Sequence, residues 1–97
     1  MLGETNGTTQ ITSIKIDSWK NKYHEFLLIG TAYDRVMISS IISIYNAIDT
    51  IGADNHQAYY ANNDSDNNFF VYLYFTSEDE ITINVSKDNR IAKLYAR

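Results

Sequence analysis

Apolar and polar residues alternate with a period of two over several parts of the chain, the pattern typical of half-buried β-strands. Ile14 and Ile16 alternate with charged residues near the start, and Ile81, Ile83 and Val85 alternate with polar ones near the end. Two further runs, Glu25 to Tyr33 and Phe69 to Phe75, carry apolar residues at both parities. Such runs indicate strands that are covered on both faces. A last strand is predicted from Arg90 to Tyr95.

One stretch of the chain has apolar residues at helical spacing instead. The apolar stripe consists of Ile41, Ile44, Tyr45, Ile48 and Ile51. It persists for three turns and predicts a helix, and Gly52 stands where a helix C-cap belongs. The start of this helix is open between Asp34 and Ser40, with Asp34, Ser39 and Ser40 as candidate N-caps. Alternatively, Val36 to Ile38 complete a hairpin with the preceding strand.

Turn chemistry separates these elements. Asn62 to Asn68 is a loop by composition, and Ser77 to Asp79 is a turn. Asp88 and Asn89 predict a two-residue hairpin loop. A short edge strand through Ala58, Tyr59 and Tyr60 is an open alternative. Gly30, inside an apolar run, indicates a bulge or a close approach of the backbone.

The predicted fold class follows from this order of elements. It is an α+β two-layer sandwich in which one helix packs on a mostly antiparallel sheet of four to six strands. The element order is β-β-α-(β)-β-β-β. Residues 1–9 are small and polar and are predicted to be a flexible N-terminus, and residues 10–97 form a single domain.

Composition excludes several kinds of chemistry. The chain has no cysteine, so disulfides, thiolate nucleophiles and cysteine-ligated zinc are absent. The start of the chain lacks the basic and apolar regions of a signal peptide, and no run is apolar enough for a membrane span of about 20 residues. These features predict a soluble, cytoplasmic protein with no membrane partner.

Charge is distributed unevenly along the chain. From Val36 to Ser86 there is no lysine or arginine, so this middle part carries −7 and the two flanks together carry +3. The middle carboxylates are Asp49, Asp54, Asp64, Asp66, Glu78, Asp79 and Glu80. We expect an acidic surface that favours basic partners.

Metal and catalytic motifs are weak. The oxygen-rich loop Asn62, Asp64, Asp66 and Asn68 resembles calcium ligands, but an EF-hand would place Phe69 where glycine is required and Phe75 where glutamate is required. His24 and His56 belong to no metal-binding or triad pattern. We therefore predict no metal, no cofactor and no catalytic residue, hence a protein that is not an enzyme. A pocket joining His24 or His56 to a carboxylate would favour the enzyme alternative.

These features favour a binding function. The aromatic-rich middle lacks the cations that a phosphate backbone requires, so no direct nucleic-acid binding is expected. The main hypothesis is a stoichiometric inhibitor or neutraliser of a larger, basic protein, of the kind found among phage anti-defence and toxin-immunity proteins. Its partner-binding residues would be Asp49, Asp54, Tyr59, Tyr60, Asp64, Asp66, Glu78, Asp79 and Glu80, with the tyrosines as anchors. The alternative is a homo-oligomeric accessory subunit, possible as a homodimer, that buries the spare aromatic face of Phe69 to Phe75.

Overall fold

A computed structural model describes residues 1–8, 11–51 and 69–97 and the backbone of 59–63. They form two antiparallel four-stranded sheets. Sheet A has the order β1-β8-β3-β4 and sheet B the order β2-β7-β6-β5. The strands are β1 Gly3–Glu4, β2 Thr12–Lys15, β3 Glu25–Ala32, β4 Arg35–Ser43, β5 Tyr59–Asn63, β6 Phe69–Ser77, β7 Glu80–Val85 and β8 Ile91–Ala96. A 3-10 turn, Trp19–Asn21, and one short helix, α1 Ile44–Asp49, complete the described elements.

The core lies between the two sheets. Alternate residues of β3 and of β6 are buried, as the period-two pattern of a strand requires. Phe26 of β3 meets Phe75 of β6 with ring centroids 5.2 Å apart. Trp19 fills the space beside them at 5.7 Å from Phe26 and 5.1 Å from Phe75. The second layer of the sandwich is therefore a second sheet.

The predicted α+β class with one helix packed on a sheet is wrong, because most of the predicted helix is a strand. β4 extends from Arg35 to Ser43, and the helix α1 has only six residues. Isoleucine is β-branched and loses side-chain freedom in a helix, so it packs better on a pleated sheet. The helical stripe does not form one buried face, because Ile41 and Tyr45 are exposed. The N-cap is Ser43, whose hydroxyl accepts a hydrogen bond from the Asn46 N–H, and Gly52 lies outside the described residues.

The hairpin alternative for the start of this segment is confirmed. β3 and β4 pair antiparallel along their length, and Ala32 is opposite Arg35. Tyr33 and Asp34 form the two-residue loop, with φ of 54° and 60°. Two successive positive φ values match the twist of a type I′ turn.

The prediction that Asp88 and Asn89 form a hairpin loop is wrong, because the strands on either side of them do not pair with each other. β7 pairs with β6 and β2 in sheet B, whereas β8 pairs with β3 and β1 in sheet A. The chain therefore crosses from one sheet to the other through residues 86–90. Asn89 has a positive φ of 62°, and Arg90 is buried, with its guanidinium over the ring of Tyr33. Turn residues alone do not reveal whether a connection stays within one sheet.

The start of the chain contributes to sheet A. Gly3 and Glu4 pair with Leu94 and Lys93 of β8. Thr5 is buried, and its hydroxyl accepts a hydrogen bond from the Ala92 N–H at 3.0 Å. Within the predicted flexible segment 1–9, residues 3–5 are thus placed against β8.

Candidate functional site

The acidic turn of the sequence prediction, Glu78 to Glu80, connects β6 to β7. The structure brings lysines from the chain's basic flank to it. Lys20 forms an ion pair with Glu78, and Lys15, opposite Glu80 in the β2–β7 pairing, forms one with Glu80. Asp79 Oδ1 accepts a hydrogen bond from the Ser18 N–H at 2.8 Å. Charges that are separated along the chain are therefore adjacent in space at this turn.

The same turn fixes the only tryptophan. The Trp19 N–H donates to the Glu78 carbonyl at 3.1 Å, and its indole Nε1–H donates to the Ser77 carbonyl at 2.6 Å. The Ile16 N–H donates to the Asp79 carbonyl at 3.0 Å. These bonds hold residues 16–19 across the end of sheet B. The acidic turn thus anchors Trp19 in the core, and its three carboxylates accept ion pairs or a hydrogen bond from residues 15–20 of the same chain.

The Lys15 ammonium donates a hydrogen bond to Glu80 and holds the pKa of that carboxyl below its ordinary value of 4.5. A lowered folded-state pKa means that the pair stabilises the fold above pH 4.5 and that this contribution is lost as pH falls through the folded-state pKa. We expect Lys15→Met to raise the pKa of Glu80. Carboxyl chemical shifts in an NMR titration measure this directly. An unchanged Glu80 titration in Lys15→Met would contradict the ion pair.

The remaining predicted partner-binding residues do not form one described surface. Asp49 is exposed at the end of α1, after the edge strand of sheet A, whereas Glu78 to Glu80 belong to sheet B. Tyr59 and Tyr60 occupy β5, where their backbones pair with Leu73 and Tyr72. Asp54, Asp64 and Asp66 lie outside the described residues.

Among the described residues, the structure shows neither a metal-binding cluster nor a pocket that joins a histidine to a carboxylate. His24 is exposed and uses its backbone to bond Arg97 and Ile44. His56 lies outside the described part of the chain, as do Asp64, Asp66 and Asn68 of the oxygen-rich loop, whose first member, Asn62, pairs within β5. Within the described ranges, no group of three or more His, Asp or Glu side chains is placed to hold a metal ion.

Sheet A presents an apolar surface to solvent. Phe26 and Leu28 of β3 are buried in the core, and Leu27 and Ile29, which alternate with them, point away from it. Leu27 is paired with Ile41 of β4 on one side and with Tyr95 of β8 on the other. Ile41 is 64% exposed and Tyr95 is 36% exposed. One row of the outer face of sheet A therefore reads Ile41, Leu27, Tyr95.

This row forms a groove, which we call the Leu27 groove. Leu27 lies between Ile41 and Tyr95, which we call its walls; Phe26 and Ala96 also line it, and its volume is about 250 Å³. Glu25 and Arg97 line it as well and form an ion pair with each other. Backbone bonds between Glu25 and Arg97 in both directions, each 3.1 Å, hold that end of the groove. The groove thus joins an apolar centre to a neutral polar end.

The outer face of sheet B carries three half-buried aromatic rings on β6. The Phe70 and Tyr72 ring centroids are 5.3 Å apart, edge to face, and those of Tyr72 and Tyr74 are 6.1 Å apart, nearly parallel. The alternate residues Phe69, Val71, Leu73 and Phe75 are buried between the sheets. The predicted division of this strand into two apolar faces is confirmed.

The sequence prediction missed the Leu27 groove. Ile41 fits the predicted helix stripe, and this spacing does not reveal that it lies beside Leu27 in a sheet. The run Glu25 to Tyr33 predicts a strand covered on both faces, whereas the outer face of β3 borders this groove. The available signal was the same run: apolar residues at both parities also require an apolar outer face.

Comparison of the chain with protein-family models, with curated proteins and with solved structures finds no match. In the part of the chain that the structure describes, no helix is long and apolar enough to cross a membrane.

Proposed function

We propose that this protein is a binding module that docks on a larger, basic protein through the outer face of sheet A, as a stoichiometric inhibitor or neutraliser. The Leu27 groove would receive an apolar side chain of that partner. The observation that carries the proposal is the exposure of Ile41 and Tyr95 on either side of Leu27. Exposed apolar surface edged by polar residues is typical of protein-interaction sites.

The size of the groove favours a protein side chain over a small molecule. Pockets for small molecules have volumes of about 300–1,000 Å³ and bury most of their ligand. The Leu27 groove has about 250 Å³ and a wall, Ile41, that is largely exposed. An aromatic wall such as Tyr95 is also the residue type that contributes most at protein interfaces.

The charge of the chain supports a basic partner. The net charge is −4, and long-range attraction of this kind raises association rates without requiring that a particular carboxylate touch the partner. The ion pairs of Glu78 and Glu80 with lysines of the same chain leave the net charge unchanged, so long-range attraction of a basic partner remains. The association rate with the partner is expected to fall as salt is added.

The test is a comparison of two tyrosine truncations. Proteins of the native cell are retained on immobilised chain at low salt, and the partner recovered is purified and titrated against variants. Tyr95→Ala should weaken its binding by roughly 30-fold, about 2 kcal/mol, as for an interface anchor. Tyr45→Ala is the matched control, because Tyr45 is 78% exposed on α1 and does not line the groove. Equal affinities of the two variants would contradict the proposal.

A further inference from the structure

Asn6, which lies shortly after β1, is the one asparagine in the sequence that is followed by glycine. Glycine in this position favours attack of its backbone nitrogen on the asparagine side chain, because it has no Cβ to shield that nitrogen. Asn6 is exposed. A Cβ atom added to Gly7 would meet nothing within 4 Å, and within the described ranges the Gly7 N–H donates no hydrogen bond. The Gly7 nitrogen is therefore unshielded and not committed to an acceptor.

Two hydrogen bonds converge on the side-chain oxygen of Asn6. The Thr8 N–H donates to Asn6 Oδ1 at 3.2 Å, and the Thr8 hydroxyl donates to the same atom at 2.7 Å. An amide NH2 group cannot accept from a backbone N–H, so these bonds identify the oxygen of this side chain. Both donors polarise the Asn6 side-chain carbonyl. They point at the atom on which negative charge develops when Cγ is attacked, as the donors of an oxyanion hole do.

We propose that Asn6 is a site of spontaneous covalent modification, at which the Gly7 nitrogen attacks Asn6 Cγ and the two Thr8 donors stabilise the oxyanion that results. Hydroxide removes the Gly7 N–H proton, the bond from the Gly7 nitrogen to Cγ forms, and Oδ1 takes the negative charge. The bond from Cγ to Nδ2 then breaks, and ammonia leaves with a proton from water. The product is a succinimide ring. The inference goes beyond the proposed function, since Asn6 does not line the Leu27 groove.

Water completes the modification by opening the succinimide at one of its two carbonyl carbons. Opening at the side-chain carbonyl leaves aspartate with an ordinary backbone. Opening at the backbone carbonyl leaves isoaspartate, in which the main chain runs through Cβ and Cγ and is longer by one methylene group. Either product adds one carboxylate to a chain whose net charge is −4.

Asn6 lies between two attachments of the start of the chain. On one side, the Thr5 N–H donates to the Ala92 carbonyl at 3.0 Å, and the Thr5 hydroxyl accepts from the Ala92 N–H. On the other side, the Gly7 carbonyl accepts from the Asn89 N–H at 2.7 Å. A methylene group inserted between Thr5 and Gly7 changes the spacing of these attachments. Isoaspartate should therefore loosen the hold of β1 on β8, whereas aspartate should not.

Incubation of the folded chain at mildly alkaline pH, followed by peptide mapping, tests the site. Residue 6 should gain the mass that separates a carboxyl group from an amide, as a mixture of aspartate and isoaspartate. Asn89 is the internal control, because it is also exposed but is followed by Arg90, and it should remain intact over the same period. Conversion of Asn6 no faster than that of Asn89 would overturn the proposal.

Two variants of Thr8 test the oxyanion donors. Thr8→Val keeps the size of the side chain without the hydroxyl, and Thr8→Ser keeps the hydroxyl. In the folded chain, Thr8→Val should convert Asn6 about 2- to 10-fold more slowly than Thr8→Ser, the effect of one neutral hydrogen bond. In concentrated urea the two variants should convert at the same rate, because the turn that aims the donor is lost. Equal rates in the folded chain, or the same difference in urea, would overturn the role of Thr8.

Hydrogen exchange tests the effect on β1. The aspartate and isoaspartate forms are separated by chromatography, and exchange is followed at the Thr5 and Asn89 amides, which donate the two backbone bonds on either side of residue 6. Exchange at one or both amides should be faster in the isoaspartate form than in the aspartate form. Equal exchange in the two forms would overturn the inferred loosening of β1.

Discussion

Replacing Trp19 with alanine is expected to lower the free energy of unfolding by about 3–5 kcal/mol, a large part of the 5–15 kcal/mol typical of a domain. Trp19 is fully buried and contacts the rings of Phe26 and Phe75, so its removal leaves a cavity between the two sheets. It also removes the indole donor to the Ser77 carbonyl. Urea denaturation followed by far-UV circular dichroism measures the loss.

Trp19→Phe separates packing from hydrogen bonding. This variant keeps a ring against Phe26 and Phe75 but cannot donate to the Ser77 carbonyl, so its expected cost is smaller, about 1–3 kcal/mol. Lys22→Ala, an exposed change in the same segment, should have no measurable effect. If Trp19→Ala unfolds at the same urea concentration as the unaltered chain, the acidic turn does not anchor a core residue as described.

Gly30→Val is expected to destabilise the fold by about 1–3 kcal/mol through overpacking. A Cβ atom at this position would lie 3.0 Å from Cβ of Ile38 and 3.0 Å from Cζ of Phe69. Valine adds two methyl groups beyond that atom, at the point where the register of β3 and β4 shifts. The predicted bulge or close approach at Gly30 is thus confirmed on both counts.

Gly30→Ala provides the comparison. Alanine makes the same short contacts with Ile38 and Phe69 but regains about 0.5–1 kcal/mol of backbone entropy in a strand, so its net effect should be smaller. Thr31→Val, at the next position and half-exposed, serves as the control for added apolar bulk. Thermal denaturation of the three variants gives the order, and Gly30→Val as stable as Thr31→Val would contradict the close approach.

The isoleucine-rich segment 36–51 illustrates how two periodicities compete. Ile41, Ile44, Tyr45, Ile48 and Ile51 fit a helix, while Ile38, Ser40 and Ile42 share one face of a strand, with both isoleucines buried and the serine half-buried. The strand is favoured by pairing with β3, which supplies partners for eight of the nine residues of β4 and a buried face for Ile38 and Ile42. No local pattern contains that information, because the partner strand lies elsewhere in the chain.

The candidate sites show the same division. The charge segregation along the chain is real, but the β2–β7 pairing places Lys15 and Lys20 beside the acidic turn. The Leu27 groove needs β3, β4 and β8 side by side, and β8 comes from the far end of the chain. A site assembled from distant strands has no contiguous motif, so the sequence reveals only its individual apolar positions.

The sequence by itself determined which positions face inward where apolar and polar residues alternate, at Ile14 and in Ile81 to Val85, because a strand has a two-residue period. It also determined the net charge and the absence of thiol chemistry. Tertiary structure decided which strand pairs with which, and hence the two-sheet architecture, the ion pairs at the acidic turn and the Leu27 groove. The physical reason is that period fixes the face of a side chain, whereas neighbours across a sheet are fixed by long-range packing.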